Sequence, residues 1–269
     1  MLGNASMPAN ETIRSRANPL LKRAGAVLSG LEPGTIVLEG DRLVDDALAA
    51  GVVLESVLVA DDREDRAESL ERKGLVVRRV QAALLGRVSA LATSPGILAL
   101  ARAPVSVGIE SVRLDERALL LVAAGIADPG NLGAVARSAE AFGARALFVT
   151  RGSASPWSER ALRGSMGSLL RLAVGHGIPA EGLARSLSER GVRQACAATR
   201  GGADPMAFDW RGPVALWVGS ETGDIPEAAR AFEKVTIPMA GEVESLNVAV
   251  AASLLLFASG RAAREGRRG

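Results

Sequence analysis

Apolar and polar positions along the chain fall into two successive series of strand-like and helix-like segments. In the first, "TIVLEG" (35–40), "SVLVA" (56–60), "LVVRRV" and "ILALARA" (97–103) read as strands. Between them, "DRLVDDALAAG", closed by Gly51, and the charged "REDRAESLERKG" read as helices. A polar, turn-rich stretch over 104–116 has no long period and reads as a linker. The alternation then restarts with strands in "ALLLVAAGI", "ALFVT" (146–150), "LLRLAVG", "VRQACAAT", "GPVALWVGS" and "KVTIPM". Helices are predicted over 131–143, in "PWSERALRGSMG" and "AEGLARSLSERG", and over a long final stretch at 246–260. Near-continuous apolar strands separated by helices predict an α/β fold with a mostly parallel sheet covered on both faces. The organisation expected is a smaller α/β domain at 1–103, the linker at 104–116 and a larger domain at 117–269. The first ten residues are small and polar and are expected to be loose.

One helix carries an anomaly. In "DPGNLGAVARSAEAFGA" (128–144), Leu132, Val135, Ala136, Ala139 and Phe142 form one apolar stripe that must face the sheet. Asn131 reads as the N-cap, after the turn at Pro129-Gly130. Gly133 and Arg137 lie off the stripe, one turn apart on the same side. Glycine inside a helix costs about 1 kcal/mol against alanine, so something must approach its backbone closely. In the plain structural reading Gly133 permits tight packing and Arg137 pairs with Glu140 on a solvated face. In the functional reading Arg137 is a working group. A dinucleotide-binding fingerprint fails on spacing, because "GNLGAVA" contains no G-x-G-x-x-G.

Composition narrows the chemistry. The 269 residues are 48 % hydrophobic, enough for a substantial core, and 32 basic residues nearly balance 30 acidic ones. The pI of about 9.2 reflects an arginine-rich basic set, so clustering of the arginines matters more than their sum. The single Cys196 and single His176 exclude an internal disulfide and a Cys/His zinc site, and no metal is expected. A serine triad would have to use His176, in "LAVGHGIP", which reads as a strand entering a loop. Acid–base chemistry must therefore come from carboxylates, arginine, lysine or the substrate. "MLGNASMPANETIRSR" lacks the apolar stretch of a signal peptide, and the runs at 118–127 and 248–259 fall short of a membrane span. A soluble, cytoplasmic protein is expected.

Two further segments bear on Arg137. "LWVGSETGDIPE" (216–227) is an apolar strand entering a small polar loop, with Glu221 where open α/β sheets bind ligands. In "TIPMAGEVESLNVAVAASLLLF" (236–257) a strand ends at Pro238, a loop carries Glu242, Glu244 and Ser245, and a helix begins near Leu246-Asn247. Free backbone N–H groups at such a start suit a carboxylate or phosphate.

Taken in order, "DPGNLGAVARSAEAFGA", "WVGSETGDIP" and "IPMAGEVESLNVAVAASLLLF" resemble the three motifs of the SpoU (TrmH) family of ribose 2′-O-methyltransferases, in the SPOUT class. The resemblance spans roughly 117–260, with N-x-G-x-x-x-R and S-L-N-V intact. In the middle motif Thr222-Gly223-Asp224 stands where the family has glycine on either side of one residue. "SRANPLLKRA", "IVLEGDRLVDDAL" and "SPGILALA" are similar to the small substrate-binding domain in front of many rRNA-modifying members.

The resemblance implies a trefoil-knotted fold made by the 199–260 region threading back, a homodimer with sites drawn from both chains, and S-adenosylmethionine as cofactor. By position, Thr199, Leu216, Gly219, Glu221, Ile237, Met239 and Leu246 would line the cofactor pocket. The family assigns Arg137 to the ribose hydroxyl, and its high intrinsic pKa makes it an alkoxide stabiliser rather than a base. Asn131 would hold Arg137 or the ribose, Glu221 would orient the site, and Ser245 and Asn247 would bind phosphate or cofactor.

Candidate RNA contacts are Arg14, Arg16, Lys22, Arg23 and Arg42, then Arg160, Arg163 and Arg171, and the tail Arg261, Arg264, Arg267 and Arg268. Aromatic residues make up 3 % and Tyr is absent, which favours recognition of RNA shape over base stacking. The implied activity is 2′-O-methylation of 23S rRNA. The alternatives are a tRNA methyltransferase and a non-catalytic RNA-binding or ribosome-assembly protein of the same fold.

Overall fold

The computed structural model describes residues 11–219, 227–229 and 231–265, and these separate into two compact units, the first running to Pro104 and taking in Trp157–Glu159, the second made of the remainder from Val105. The first unit contains α1 (Pro19–Leu28), β1 (Thr35–Glu39), α2 (Asp41–Ala49), β2 (Leu54–Ala60), α3 (Glu64–Glu71), β3 (Val77–Val80), α4 (Ala82–Val88) and β4 (Ile97–Arg102). Its sheet has the order β1-β4-β2-β3, with β4 antiparallel to both neighbours and β2 parallel to β3. Ile13 lengthens the β3 edge through a parallel bridge to Val80. Leu21, Ala24 and Val27 of α1 and Leu84 and Leu85 of α4 pack with Val37, Leu58 and Leu98 into one core, while α2 and α3 lie against other strand positions. The alternation of strand and helix periods seen in the sequence is this three-layer arrangement.

The second unit contains β5 (Leu119–Ala124), α5 (Pro129–Ala141), β6 (Ala146–Thr150), α6 (Glu159–Ser165), α7 (Ser168–Arg171) and β7 (Ala173–Ile178). It continues through α8 (Ala180–Glu189), β8 (Arg193–Ala197), β9 (Val214–Gly219), β10 (Glu233–Val235) and α9 (Val248–Glu265). The six strands are all parallel, in the order β10-β8-β9-β5-β6-β7. Leu120, Val122, Phe148, Ala215 and Trp217 point to one face, where Leu183 and Leu187 of α8 cover them. The alternate positions face the other way, where α5 and α9 pack on the sheet. The Trp217 indole N–H donates to Gln194 Oε1 at 3.2 Å, and Gln194 Nε2 in turn donates to Ala184 O and Ser188 Oγ. Each polar atom buried there has a partner.

Three expectations change. The stretch 104–116 is not a free linker: Val107 N–H donates to Val174 O at 3.0 Å, and Ile109 and Val112 are buried in the second unit's core. Three apolar residues scattered among polar ones were enough to anchor it. "LLRLAVG" is not one strand, since Ser168–Arg171 is a helical turn and the strand runs Ala173–Ile178, so His176 lies within β7. "KVTIPM" contributes only as far as Val235, because Thr236 N–H turns away to Ala203 O and Pro238 has no N–H to give the ladder. Among the described residues no helix is long and apolar enough to cross a membrane.

Candidate active site

Because the six strands run the same way, β5, β8, β9 and β10 all end at one edge of the sheet, the edge where open α/β sheets bind ligands. Thr199 is exposed two residues beyond β8, Gly219 ends β9 beside Ala124 of β5, and Ile237 follows β10. Ile237, Met239 and Leu246 are half-buried along the segment between β10 and α9. Leu216 differs from this group. It is fully buried within β9 between Leu121 and Ala195, so its side chain belongs to the core and not to a pocket wall. Glu221 and Thr222-Gly223-Asp224 lie outside the described residues, as do Arg267 and Arg268 and the side chain of Arg264.

The start of α5 opens on the same edge. Its N-cap is Asp128, whose Oδ1 accepts from Asn131 N–H at 2.8 Å, with Pro129 at the first helical position. This corrects the assignment of the cap to Asn131. The Asp-Pro pair carried the signal, since aspartate caps well and proline there gives up no helical hydrogen bond. Asn131 is released from capping and its side-chain oxygen instead accepts from Asn247 Nδ2 at 3.1 Å. Asn247 is itself the cap of α9, its Oδ1 accepting from Ala249 N–H at 2.9 Å. The amides at the α9 start are therefore partly satisfied by the chain and are fewer than an anion site there would use.

The two helices run side by side in the same direction. Ser138 Oγ and Ser253 Oγ are 2.6 Å apart, and the Phe142 and Phe257 rings meet edge to face at 5.9 Å. The cap bridge, the serine pair and the ring pair fix α9 along one side of α5. On the opposite side, Gly133 is buried, and a Cβ there would stand 2.4 Å from Ala161 O of α6. Gly133 thus serves close helix packing, as in the plain structural reading. The other half of that reading fails, because Glu140 forms a double hydrogen bond with Arg171 at 2.6 and 2.8 Å. That pairing holds the Glu140 carboxyl below the usual carboxylate range. Arg137, exposed between the α6 and α9 sides, has no hydrogen-bond or ion-pair partner among the described residues. Ser245 is exposed just ahead of the Asn247 cap.

The basic candidates divide. Arg14, Arg16 and Lys22 are exposed. Arg23 is an internal staple, its Nε and Nη2 committed to Glu32 at 2.5 Å and Glu55 at 2.6 Å within the fold. Arg42 is 73 % exposed and lies 3.8 Å from Asp46, too loosely paired to be held. Arg171 is committed to Glu140, whereas Arg160 pairs with Asp128 at 2.9 Å and stays exposed. His176 is half-buried in β7, where burial lowers its pKa, well inside the sheet's far-edge strand and away from the β8–β9–β10 exits. Burial likewise raises the pKa of the Cys196 thiol.

Residues 118–257 match the model of the SpoU rRNA methylase family, and residues 31–99 match an MRM3-like substrate binding domain. The chain is 30 % identical to the 23S rRNA (guanosine(2553)-2′-O)-methyltransferase RlmP of Bacillus subtilis over 83 % of its own length and 87 % of that protein. It is 37 % identical to the 23S rRNA (guanosine-2′-O-)-methyltransferase RlmB of Xylella fastidiosa over 72 % of its length and 80 % of that protein. The structure of the SpoU methyltransferase AviRb from Streptomyces viridochromogenes, in complex with the cofactor AdoMet, superposes with a TM-score of 0.81 at 26 % identity, covering 91 % of this chain and 97 % of that one. With the first and third motifs joined through Asn131 and Asn247 and the family model matching more than half of its residues, the chain belongs to the SpoU rRNA methylase family.

Proposed function

We propose that this protein transfers a methyl group from S-adenosylmethionine to a ribose 2′-hydroxyl of 23S rRNA. The observation that carries the reading is Arg137. It is an exposed guanidinium without a partner among the described residues, on a helix whose start is tied by Asn131 and Asn247 to the third motif. Relatives named as 23S rRNA 2′-O-methyltransferases, aligned along most of the chain, support the substrate class.

The exit segments of β8 and β10, with the end of β9, fit the cofactor. Ile237, Met239 and Leu246 offer half-buried apolar surface, and the amides of Ile237 and Met239 make no hydrogen bond among the described residues. Apolar walls with a few backbone donors suit an adenine ring and a thioether arm. Thr199 and Gly219 join them from β8 and β9, and Glu221 is assigned the orienting role. When bound, the cofactor supplies a methyl group on a positively charged sulfur, already a good leaving group.

What the chain must add is position and charge. Arg137 stays cationic, so it stabilises the 2′-oxygen as negative charge develops on it and does not take the proton itself. Asn131, with its backbone fixed by Asp128 and its side chain by Asn247, places the ribose against Arg137. Ser245 and Asn247 border the same space and bind phosphate or cofactor. No histidine or cysteine is needed, in keeping with a chain that has one of each, Cys196 buried within β8 and His176 half-buried in β7 at the far side of the sheet.

The active form is a homodimer, in the cytoplasm. Val250, Leu254 and Phe257 lie 49 %, 44 % and 52 % exposed on one face of α9, an apolar strip at helical spacing beside the site that a second copy would cover. The late strand β9, inserted between β8 and β5, supports the reading that the 199–260 region threads back as a trefoil knot. The domain reading assigns RNA binding to the first unit, where Arg14, Arg16, Lys22 and Arg42 supply exposed charge.

The test is transfer of labelled methyl from S-adenosylmethionine to unmodified 23S rRNA and, separately, to bulk tRNA, followed by mapping of alkali-resistant dinucleotides. Label in the rRNA that resists alkali and disappears with Arg137→Ala is the expected outcome. Label confined to tRNA moves the substrate class. Cofactor binding without label on either RNA leaves the non-catalytic reading.

A further inference from the structure

We propose that Arg160 binds a phosphate of the RNA strand and positions that strand along α5, with Asp128 holding the guanidinium ready for it. The inference rests on the methyltransferase reading above and extends it to a residue outside the three motifs. It begins with three glycines. A Cβ on Gly133 would meet Ala161 O at 2.4 Å and Ser165 N at 2.8 Å, and a Cβ on Gly164 would meet Gly130 O at 3.2 Å. The backbone of α6 therefore lies directly against the first turns of α5, an approach that larger residues would block.

This contact delivers Arg160, in the first turn of α6, to the mouth of α5. Its Nη2 pairs with Asp128 Oδ2 at 2.9 Å, and its Nε would stand 3.5 Å from a Cβ on Gly130, so the guanidinium lies over that bare backbone. Asp128 is itself fixed, because Oδ1 caps Asn131 N–H at 2.8 Å. The carboxylate cannot follow Arg160 into solvent without uncapping the helix. A guanidinium has five N–H donors, and with 59 % of its side chain exposed Arg160 keeps most of them facing outward in a set orientation. Arg171, by contrast, is taken up by Glu140 and Met166 O, and Arg23 by Glu32 and Glu55.

The location gives the fork its ligand. Gly130 and Arg137 are seven residues apart, nearly two full turns, so they share one strip of α5 about 10 Å long. Arg137 stands at one end without a partner among the described residues, and Arg160 at the other with donors to spare. An RNA strand lying on this strip with its ribose at Arg137 brings a neighbouring phosphate to Arg160, and planar guanidinium matches phosphate oxygens two at a time. An exposed ion pair contributes little to stability, so stability alone is a poor account of why Arg160 is tethered there.

The experiment measures affinity for an unmodified 23S rRNA transcript over a range of salt concentrations, and methyl-transfer kinetics on the same RNA. Arg160→Ala is expected to raise Kd and KM for RNA about 10-fold and to reduce the slope of log affinity against log salt by about 1. Turnover at saturating RNA and the KM for S-adenosylmethionine should stay within 2-fold. Arg160→Lys should recover the salt slope but only part of the affinity, having the charge without the fork. Asp128→Asn keeps a capping oxygen and releases Arg160, so affinity should fall about 3-fold with the slope unchanged. An Arg160→Ala protein with unaltered RNA affinity and slope, or with a loss confined to turnover or thermal stability, overturns the assignment. Wild-type protein that moves no methyl group onto RNA refutes the methyltransferase reading instead, and the salt series then still decides whether Arg160 touches phosphate.

Discussion

Asn247 Nδ2 donates to Asn131 Oδ1 across 3.1 Å, joining the cap of the last helix to the first turn of the motif helix 116 residues earlier. One side chain thus performs two tasks, since its oxygen also caps α9 at Ala249 N–H. Substitutions separate them. Asn247→Asp keeps an oxygen for the cap but has no N–H for Asn131, so the thermal midpoint should hold while methyl transfer falls about 10-fold or more. Asn247→Ala loses both and should also cost about 1 kcal/mol of stability, the usual cost of a lost cap. Denaturant titration beside a transfer assay distinguishes the two. Equal activity in Asn247→Asp and wild type would remove the bridge from the mechanism.

Gly133 and Gly25 make opposite predictions for the same substitution. At Gly133 a Cβ would stand 2.4 Å from a backbone oxygen, which cannot swing aside as a side chain would. Gly133→Ala should therefore destabilise the second unit by about 2 kcal/mol or more, as over-packing does, and displace α6 with Arg160. At Gly25, inside α1, a Cβ would meet nothing within 4 Å. Gly25→Ala should stabilise by about 0.5–1 kcal/mol through helix propensity and a less flexible unfolded chain. Urea midpoints of the two variants check both signs.

The sequence made the sheet readable because its strands are buried on both faces, so that runs such as "ALFVT" and "VALWVG" are continuous and unambiguous. Helix ends were legible where glycine closes them: Gly143, at φ +80°, follows Phe142, and Ala144 N–H reaches back to Ala139 O. Arg137 could be singled out by its place off the apolar stripe. What could not be read was commitment. Arg23 and Arg14 sit in one basic cluster of the sequence, yet the fold pairs the first and leaves the second exposed. The cap bridge spans 116 residues and has no local signature, and the resemblance places Leu216 in the cofactor pocket whereas its side chain is fully buried within the sheet. Likewise Gly133 was recognisable as a close approach, but only the fold shows that the neighbour is α6.

The Glu140–Arg171 pair predicts a pH dependence of stability. Its hydrogen bonds to Arg171 hold the Glu140 pKa below the unfolded value, so the folded state binds the proton more weakly than the unfolded one. The contribution is complete above the unfolded carboxylate range, near pH 4.3, and is lost as pH falls through the lowered folded pKa. Both side chains are about one third exposed, and solvent screening keeps the effect near 0.5 kcal/mol. Glu140→Gln should thus be less stable than wild type at pH 7 and indistinguishable from it well below the folded pKa. Paired denaturation curves at the two pH values measure this, and a gap that persists in acid would assign the loss to packing.

Arg23 and its sequence neighbours should respond in opposite ways to removal of charge. Arg23 donates to Glu32 and Glu55, and through Thr35, which donates to Glu32 at 2.9 Å, the cluster ties the middle of α1 to the starts of β1 and β2. The glutamates hold the guanidinium firmly protonated, and Arg23 lowers the Glu32 pKa in return. Arg23→Ala leaves Glu32 without its cation and Glu55 with only the exposed Arg102, 3.4 Å away. With each side chain a quarter to a third exposed, water softens the effect, and about 1 kcal/mol of stability should be lost. Affinity for rRNA should change little at temperatures where the protein remains folded. Arg14 and Arg16 are exposed, so their combined replacement by alanine should leave the unfolding midpoint within about 0.5 kcal/mol. It should instead weaken rRNA binding and lower its salt dependence by up to two counterions. Filter binding across salt, run beside denaturation of the same variants, assigns each residue to one role. A loss of rRNA affinity in Arg23→Ala at full foldedness would return that side chain to the RNA surface.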